Sequence, residues 1–287
     1  MQVFEANGVQ LHVNDSGPRD APAIVFGNSL GTDLRVWDAL IPHLPDGLRL
    51  VRYDKRGHGL SANGPELEAA ARTRPDAAPP GTSTPDPATP DLTIADLADD
   101  AAALIRGLGL GRTVYVGLSI GGLIGQSLAA RHPGLLAGLV VSNSAARIGT
   151  AEMWHGRIAT IRAQGLGAIA APTMERWFSA PFRAAGHHAL WQRMLERQPA
   201  EGYVACCGAI AAADLTDAAA TLDLPVQLIA GDADGATPPD VVRATADLIP
   251  GARHAVIAGT GHLPCVETPA AHAAILSRFL TEVGHVA

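Results

Sequence analysis

The sequence predicts an α/β fold: a mostly parallel central sheet, helices on both faces, and a helical cap inserted after the sixth strand. Three observations predict it. Short apolar runs that read as buried strands alternate with segments of helical period along most of the chain. One of those strands, Thr113-Val114-Tyr115-Val116, turns through Gly117-Leu118-Ser119-Ile120-Gly121 directly into a helical stretch. From about residue 146 to 214 the strand rhythm stops and only helical spacing remains. The expected division is therefore a core of residues 1–145 and 215–287, with a cap of residues 146–214.

Taken in order, Val3 to Val13 alternates around Asn7-Gly8 and reads as a β-hairpin. Ala23-Ile24-Val25-Phe26 is a buried strand ending in the turn-rich Gly27-Asn28-Ser29-Leu30-Gly31. A short helix is expected over Leu34 to Leu44, and Leu48 to Tyr53 is the next strand. Residues 62–92 are crowded with prolines and show no hydrophobic period, which predicts an exposed surface insert. Thr93 and Asp96 have the spacing of a capping box opening a helix with Ile94, Leu97, Ala101, Leu104 and Ile105 on one face. Gly138 to Val141 is a further strand. In the cap, Trp154, Ile158 and Ile161 share a helical face, as do Ile169, Thr173, Met174 and Trp177. Such aromatics usually pack, but a cap has to pack over something. The sheet resumes at Val226 to Ala230, then Ala255 to Ile257, each followed by a helix.

Composition narrows the function classes. At 287 residues the chain can bury a full core. A net charge of −7 and a pI near 5.8 argue against nucleic acid or an anionic membrane as partner, and leave self-association open. The first residues have no basic and apolar leader, and no apolar run approaches a membrane span, so a cytoplasmic location is expected. Three cysteines make no disulfide framework. No His/Asp cluster suggests a metal and no Gly-x-Gly-x-x-Gly follows the first strand, so no cofactor is expected.

The chemistry centres on Ser119. A serine on a strand-to-helix turn needs small neighbours, here Gly117 and Gly121, and is held in a strained conformation that exposes its hydroxyl. This is the nucleophile elbow of the α/β-hydrolase fold. The hydroxyl needs a base, and the base needs a group to fix its tautomer. In this fold the order is Ser, acid, His. His262, in a glycine-flanked loop after the last strand, is the expected base. The acid is Asp232 or Asp234; Asp234 lies further along its loop and is preferred, while Asp232 suits a turn role. The oxyanion donors are expected to be the backbone N–H groups of Ile120 and Ser29.

The sequence also resembles a known family. Asn28-Ser29-Leu30-Gly31-Thr32-Asp33-Leu34, Arg52 to Ser61, the elbow, Ser142-Asn143-Ser144-Ala145-Ala146-Arg147-Ile148-Gly149 and Gly202-Tyr203-Val204-Ala205-Cys206-Cys207 are similar to 3-oxoadipate enol-lactonases. The insert at 62–92 departs from that pattern. The resemblance implies ring opening of an enol-lactone to 3-oxoadipate in the β-ketoadipate pathway of aromatic catabolism. That substrate carries a carboxylate, and a net-negative protein needs a local cation to hold it. Arg147, where the chain enters the cap, is the first choice and Arg157, beside Trp154, the second; Trp154 and Trp177 are the expected aromatic walls. The same triad would serve a related carboxylesterase, a small-lactone hydrolase or a cofactor-free perhydrolase. A binding protein that has lost catalysis would be expected to lack a triad member, and all three stand in order.

Overall fold

The structure is a computed structural model that describes residues 2–64 and 92–286. Nearly all of the Pro-rich stretch expected as an insert, residues 65–91, lies outside the described residues.

Strands β1 (Gln2–Ala6) and β2 (Val9–Ser16) form the predicted hairpin. Its Asn7-Gly8 turn has φ of 52° and 75°, the pair of positive angles that a two-residue hairpin loop requires. β3 (Ala23–Gly27), β4 (Arg49–Tyr53), β5 (Thr113–Leu118), β6 (Leu136–Ser142), β7 (Val226–Gly231) and β8 (Arg253–Ile257) follow. Among the described residues they make one sheet in the order β1-β2-β4-β3-β5-β6-β7-β8. Only the β1–β2 and β2–β4 pairings are antiparallel. Every residue of β3, β5 and β7 is buried. That is why these strands read as continuous apolar runs rather than alternating ones: helices cover both faces.

Helix α1 (Ile94–Gly107) begins with the predicted capping box: the Thr93 hydroxyl accepts from Asp96 N, and Asp96 accepts from Thr93 N at 2.8 Å. It packs on α2 (Ile120–Arg131). The helix expected over Leu34 to Leu44 is instead two 3₁₀ turns, Leu34–Trp37 and Ile41–His43. Pro42 lacks the N–H that would continue a helix through this stretch. Asp33 caps the first turn by accepting from Arg35 N at 3.0 Å.

Between β6 and β7 the chain forms α3 (Ala151–Gln164), α4 (Gly167–Trp177), α5 (Ala180–Ala184), α6 (Ala189–Glu196), α7 (Ala200–Ala212) and α8 (Thr216–Ala220). The two predicted apolar faces, Trp154/Ile158/Ile161 and Ile169/Thr173/Met174/Trp177, are both buried. These inserted helices are tied to the sheet's carboxyl edge at two places. Gly57, after β4, and Gly202, in α7, approach so closely that a Cβ on either would collide with the other's backbone. At the end of α4, Arg176 C=O accepts from Gly235 N at 3.0 Å and Trp177 C=O from His262 N at 2.7 Å. Helices α9 (Pro239–Leu248), α10 (Pro264–Glu267) and α11 (Pro269–Glu282) complete the core. No described helix is long and apolar enough to cross a membrane.

Candidate active site

Ser119 joins β5 to α2 with φ 58° and ψ −119°, a conformation in which a residue with a side chain is strained. The surroundings hold it there. Ser119 N donates to Ser142 C=O at 3.0 Å, and the Ser144 hydroxyl donates to Ser119 C=O at 2.6 Å. A Cβ on Gly117 would collide with the Gly121 carbonyl, and one on Gly121 with the Gly27 carbonyl, so both flanking glycines are required by contact rather than by flexibility. The start of α2 directs its N–H groups and positive dipole end at the same point.

His262 and Asp234 meet behind it. His262 Nδ1 lies 2.8 Å from Asp234 Oδ2, and both side chains are buried. Asp234 also accepts from Ala236 N at 2.7 Å, Thr237 N at 3.0 Å, the Thr237 hydroxyl at 2.8 Å and Asn143 Nδ2 at 2.9 Å. Burial alone would raise the Asp234 pKa, but the His262 charge and hydrogen bond, with those of Asn143 and Thr237, outweigh it and hold the carboxyl below its ordinary range. An ionised Asp234 at Nδ1 selects the tautomer that leaves Nε2 as the base. Ser119 and His262 line one cavity without a direct hydrogen bond between them, a bond that in such sites commonly tightens only around substrate. Asp232 does different work: its Oδ1 accepts from Gly259 N at 2.7 Å and Thr260 N at 3.3 Å, bracing the turn that carries His262.

The expected oxyanion donors are the N–H groups of Ile120 and Ser29. Ile120 follows Ser119 at the helix start, and its N–H has no partner among the described residues. On the other side, the Ser29 carbonyl is drawn inward, accepting from Lys55 Nζ at 2.8 Å and from the Thr32 hydroxyl at 3.0 Å. In a planar trans peptide the following N–H points the opposite way. Ser29 and Leu30 both line the cavity, so this segment brings the expected Ser29 N–H and the neighbouring Leu30 N–H to the site.

The cavity is walled by Ile148, Trp154, Trp177, Tyr203 and two arginines, Arg157 and Arg176. Trp177 stacks on the His262 ring, centroids 6.4 Å apart. Trp154 is fixed by its Nε1–H, which donates to Ile148 C=O at 2.7 Å. Arg157 donates to the Tyr203 hydroxyl at 2.7 and 3.0 Å and to the Thr173 hydroxyl at 2.7 Å, so its guanidinium is held. Arg176 donates from Nε to Gly235 C=O at 3.1 Å. Burial first, then the nearby Arg157 charge, lowers the Arg176 pKa, with Asp234 opposing. Neither arginine has a carboxylate within ion-pair distance among the described residues. Arg147 is not in this cavity: it is 57% exposed and lies 3.6 Å from Asp214. Consecutive residues leave the chain in different directions, and here Ile148 faces the cavity while Arg147 faces solvent. Arg176, Thr173 and Tyr203 join the wall without having been expected there; the only signal for Arg176 was its place beside Trp177.

Comparisons with known proteins bear on this arrangement. A family model described as alpha/beta hydrolase fold matches residues 22–156. Over 234 residues the chain is 34% identical to 3-oxoadipate enol-lactonase 2 of Acinetobacter baylyi, covering 81% of this chain and 79% of that protein. The crystal structure of the enol-lactonase from Burkholderia xenovorans superposes with a TM-score of 0.85 at 33% identity, covering 98% of this chain and all of that one. A malate-bound thermophilic esterase from Thermogutta terrifontis superposes with a TM-score of 0.82 at 26% identity, covering 100% of both chains. With sheet order, elbow and inserted helices all of this type, the chain belongs to the 3-oxoadipate enol-lactonase family of alpha/beta hydrolases.

Proposed function

We propose that the protein opens the ring of 3-oxoadipate enol-lactone by a Ser119–His262–Asp234 mechanism. The observation that carries the substrate class is the pair Arg157 and Arg176, two guanidiniums without a carboxylate partner beside the candidate nucleophile. Two such charges in one half-buried pocket repel each other, and an anionic substrate relieves that repulsion. A neutral ester would leave them uncompensated.

In this reading His262 Nε2 takes the Ser119 proton as the oxygen attacks the lactone carbonyl, and Asp234 stabilises the imidazolium. The N–H group of Ile120 and one from the Ser29–Leu30 segment hold the oxyanion. Collapse breaks the ring C–O bond and expels an enolate oxygen, which His262 protonates. The enol becomes a ketone, which removes the nucleophile that could close the ring again. A water deprotonated by His262 then releases the acid from Ser119, and the proton returns to the serine oxygen.

The test is kcat/KM on the enol-lactone beside a neutral aryl acetate. The lactone should lead by at least roughly a hundredfold, about 2.8 kcal/mol of extra transition-state binding. Equal values would favour a general esterase. Ser119→Ala and His262→Ala should each abolish turnover with the fold intact; activity near wild type in either would end the serine-hydrolase reading.

A further inference from the structure

Lys55 is an unexpected residue to find in the interior. It follows β4 in the Asp54-Lys55-Arg56-Gly57-His58-Gly59 turn, and only 2% of its surface is exposed. Among the described residues its Nζ makes one hydrogen bond, to Ser29 C=O at 2.8 Å, and no carboxylate lies within ion-pair distance. Asp54 and Asp33 act on it only from further away. Asp54 is engaged by His12 and by the backbone N–H groups of Leu34 and Leu60, and Asp33 by Arg35. The Cys206 thiol, also near Lys55, is pushed up to about 11, foremost by burial, and so carries no charge at neutral pH. A buried ammonium with one hydrogen bond opposes folding, and an apolar side chain of the same volume would pack there at no such cost.

Its one bond falls at a functional place. The loop Ser29-Leu30-Gly31 is pinned from this turn at both ends. Lys55 holds the Ser29 carbonyl, and two residues on Gly31 N donates to His58 Nε2 at 3.0 Å. The N–H groups of Ser29 and Leu30, beside and between the two pins, have no partner among the described residues. The geometry points to Lys55 as a positioning residue for the oxyanion hole: by holding the Ser29 carbonyl it fixes the Ser29–Leu30 segment, which lines the cavity opposite Ser119 and carries the candidate N–H donor. The ammonium also places a positive charge behind this segment, where a low dielectric strengthens it. This inference rests on the serine-hydrolase reading.

Lys55→Met keeps length and bulk and removes both donor and charge. The wild type is first labelled with a fluorophosphonate and the adduct located; no adduct at Ser119 removes the serine-hydrolase reading and this inference with it. With that adduct in hand, the Met variant should label at least roughly tenfold more slowly, less than the hundredfold or more that follows removal of an oxyanion donor outright. Its kcat on an aryl acetate should fall by a similar factor while KM stays within about twofold, because ground-state binding does not use the oxyanion hole. Its melting temperature should be unchanged or higher. Labelling and kcat within about twofold of wild type, or losses accompanied by a lower melting temperature, overturn the proposal. Lys55→Leu is the second variant in case methionine packs badly; if both fail to fold, Lys55 is structural and the proposal is wrong.

Discussion

Arg157 and Arg176 make the most selective prediction at the residue scale. Arg176→Ala should raise KM for the anionic lactone at least tenfold, about 1.4 kcal/mol of binding, and change a neutral aryl acetate little. Arg157→Ala should do the same with an added loss of order, since its guanidinium also bridges Tyr203 and Thr173. Arg147→Ala should leave both substrates unchanged; a selective rise in lactone KM there would move the anion site to the surface ion pair with Asp214. The two aspartates should separate as their partners do. Asp234→Asn removes the acceptor at His262 Nδ1 and should lower kcat by orders of magnitude, whereas Asp232→Asn loosens a turn and should cost on the order of 1 kcal/mol of stability. Residue types and chain order were enough to bring Ser119, Asp234 and His262 into view, because each follows a strand and the strand ends converge. Side-chain direction was not legible in the same way. Arg147 and Ile148 are neighbours in sequence, and only the path of the chain after β6 decides which one faces the cavity. Likewise, the Ser29 carbonyl is held by a lysine 26 residues away, a contact that no spacing around Ser29 announces.

Among the elements, α4 carries the consequence. Its last two carbonyls accept from Gly235 N in the Asp234 loop and from His262 N itself. Gly261 fits against Trp177 so closely that a Cβ would collide with the Trp177 carbonyl. Gly261→Ala should therefore push the His262 loop and the end of α4 apart and lower kcat on every ester and lactone alike by roughly a hundredfold, the size expected from an ångström of misplacement. A kcat within about twofold of wild type would show that this contact is slack. The secondary structure of α4 and α3 was readable from helical spacing, and that of α1 from its capping box. The docking of α4 onto the Asp234 and His262 loops was not, because a backbone-to-backbone contact across 85 residues leaves no pattern in side-chain type. The region of Leu34 to Leu44 shows the opposite failure: its spacing suits a helix, and one proline divides it.

For the whole molecule, buried histidines lower stability in acid. His272 in α11 is fully buried with neither ring nitrogen hydrogen-bonded among the described residues, and burial lowers its pKa to about 4. In an unfolded chain the same side chain takes a proton near pH 6.5, so the unfolded state binds the extra proton between those values. Stability is then full above about pH 6.5 and falls as the pH drops towards 4, by on the order of 3 kcal/mol from this residue alone. His58, lowered by burial and by the Lys55 charge, acts in the same direction. Thermal melts of His272→Phe should lose less between pH 6.5 and 4 than wild type; parallel slopes would exclude His272 as the source. The parallel sheet itself was legible from its unbroken apolar strands, but not its order, which is a property of pairings between distant segments.

The attachment of the inserted helices at both Gly57–Gly202 and the end of α4 has a further meaning for how molecules reach Ser119. A roof held at two sides should not swing as a flap, so traffic should pass through a doorway of fixed width that sorts visitors by girth before chemistry begins. Bulky acyl chains should be refused outright rather than bound slowly, and amide hydrogens in α4 and α7 should exchange as slowly as those of the central strands.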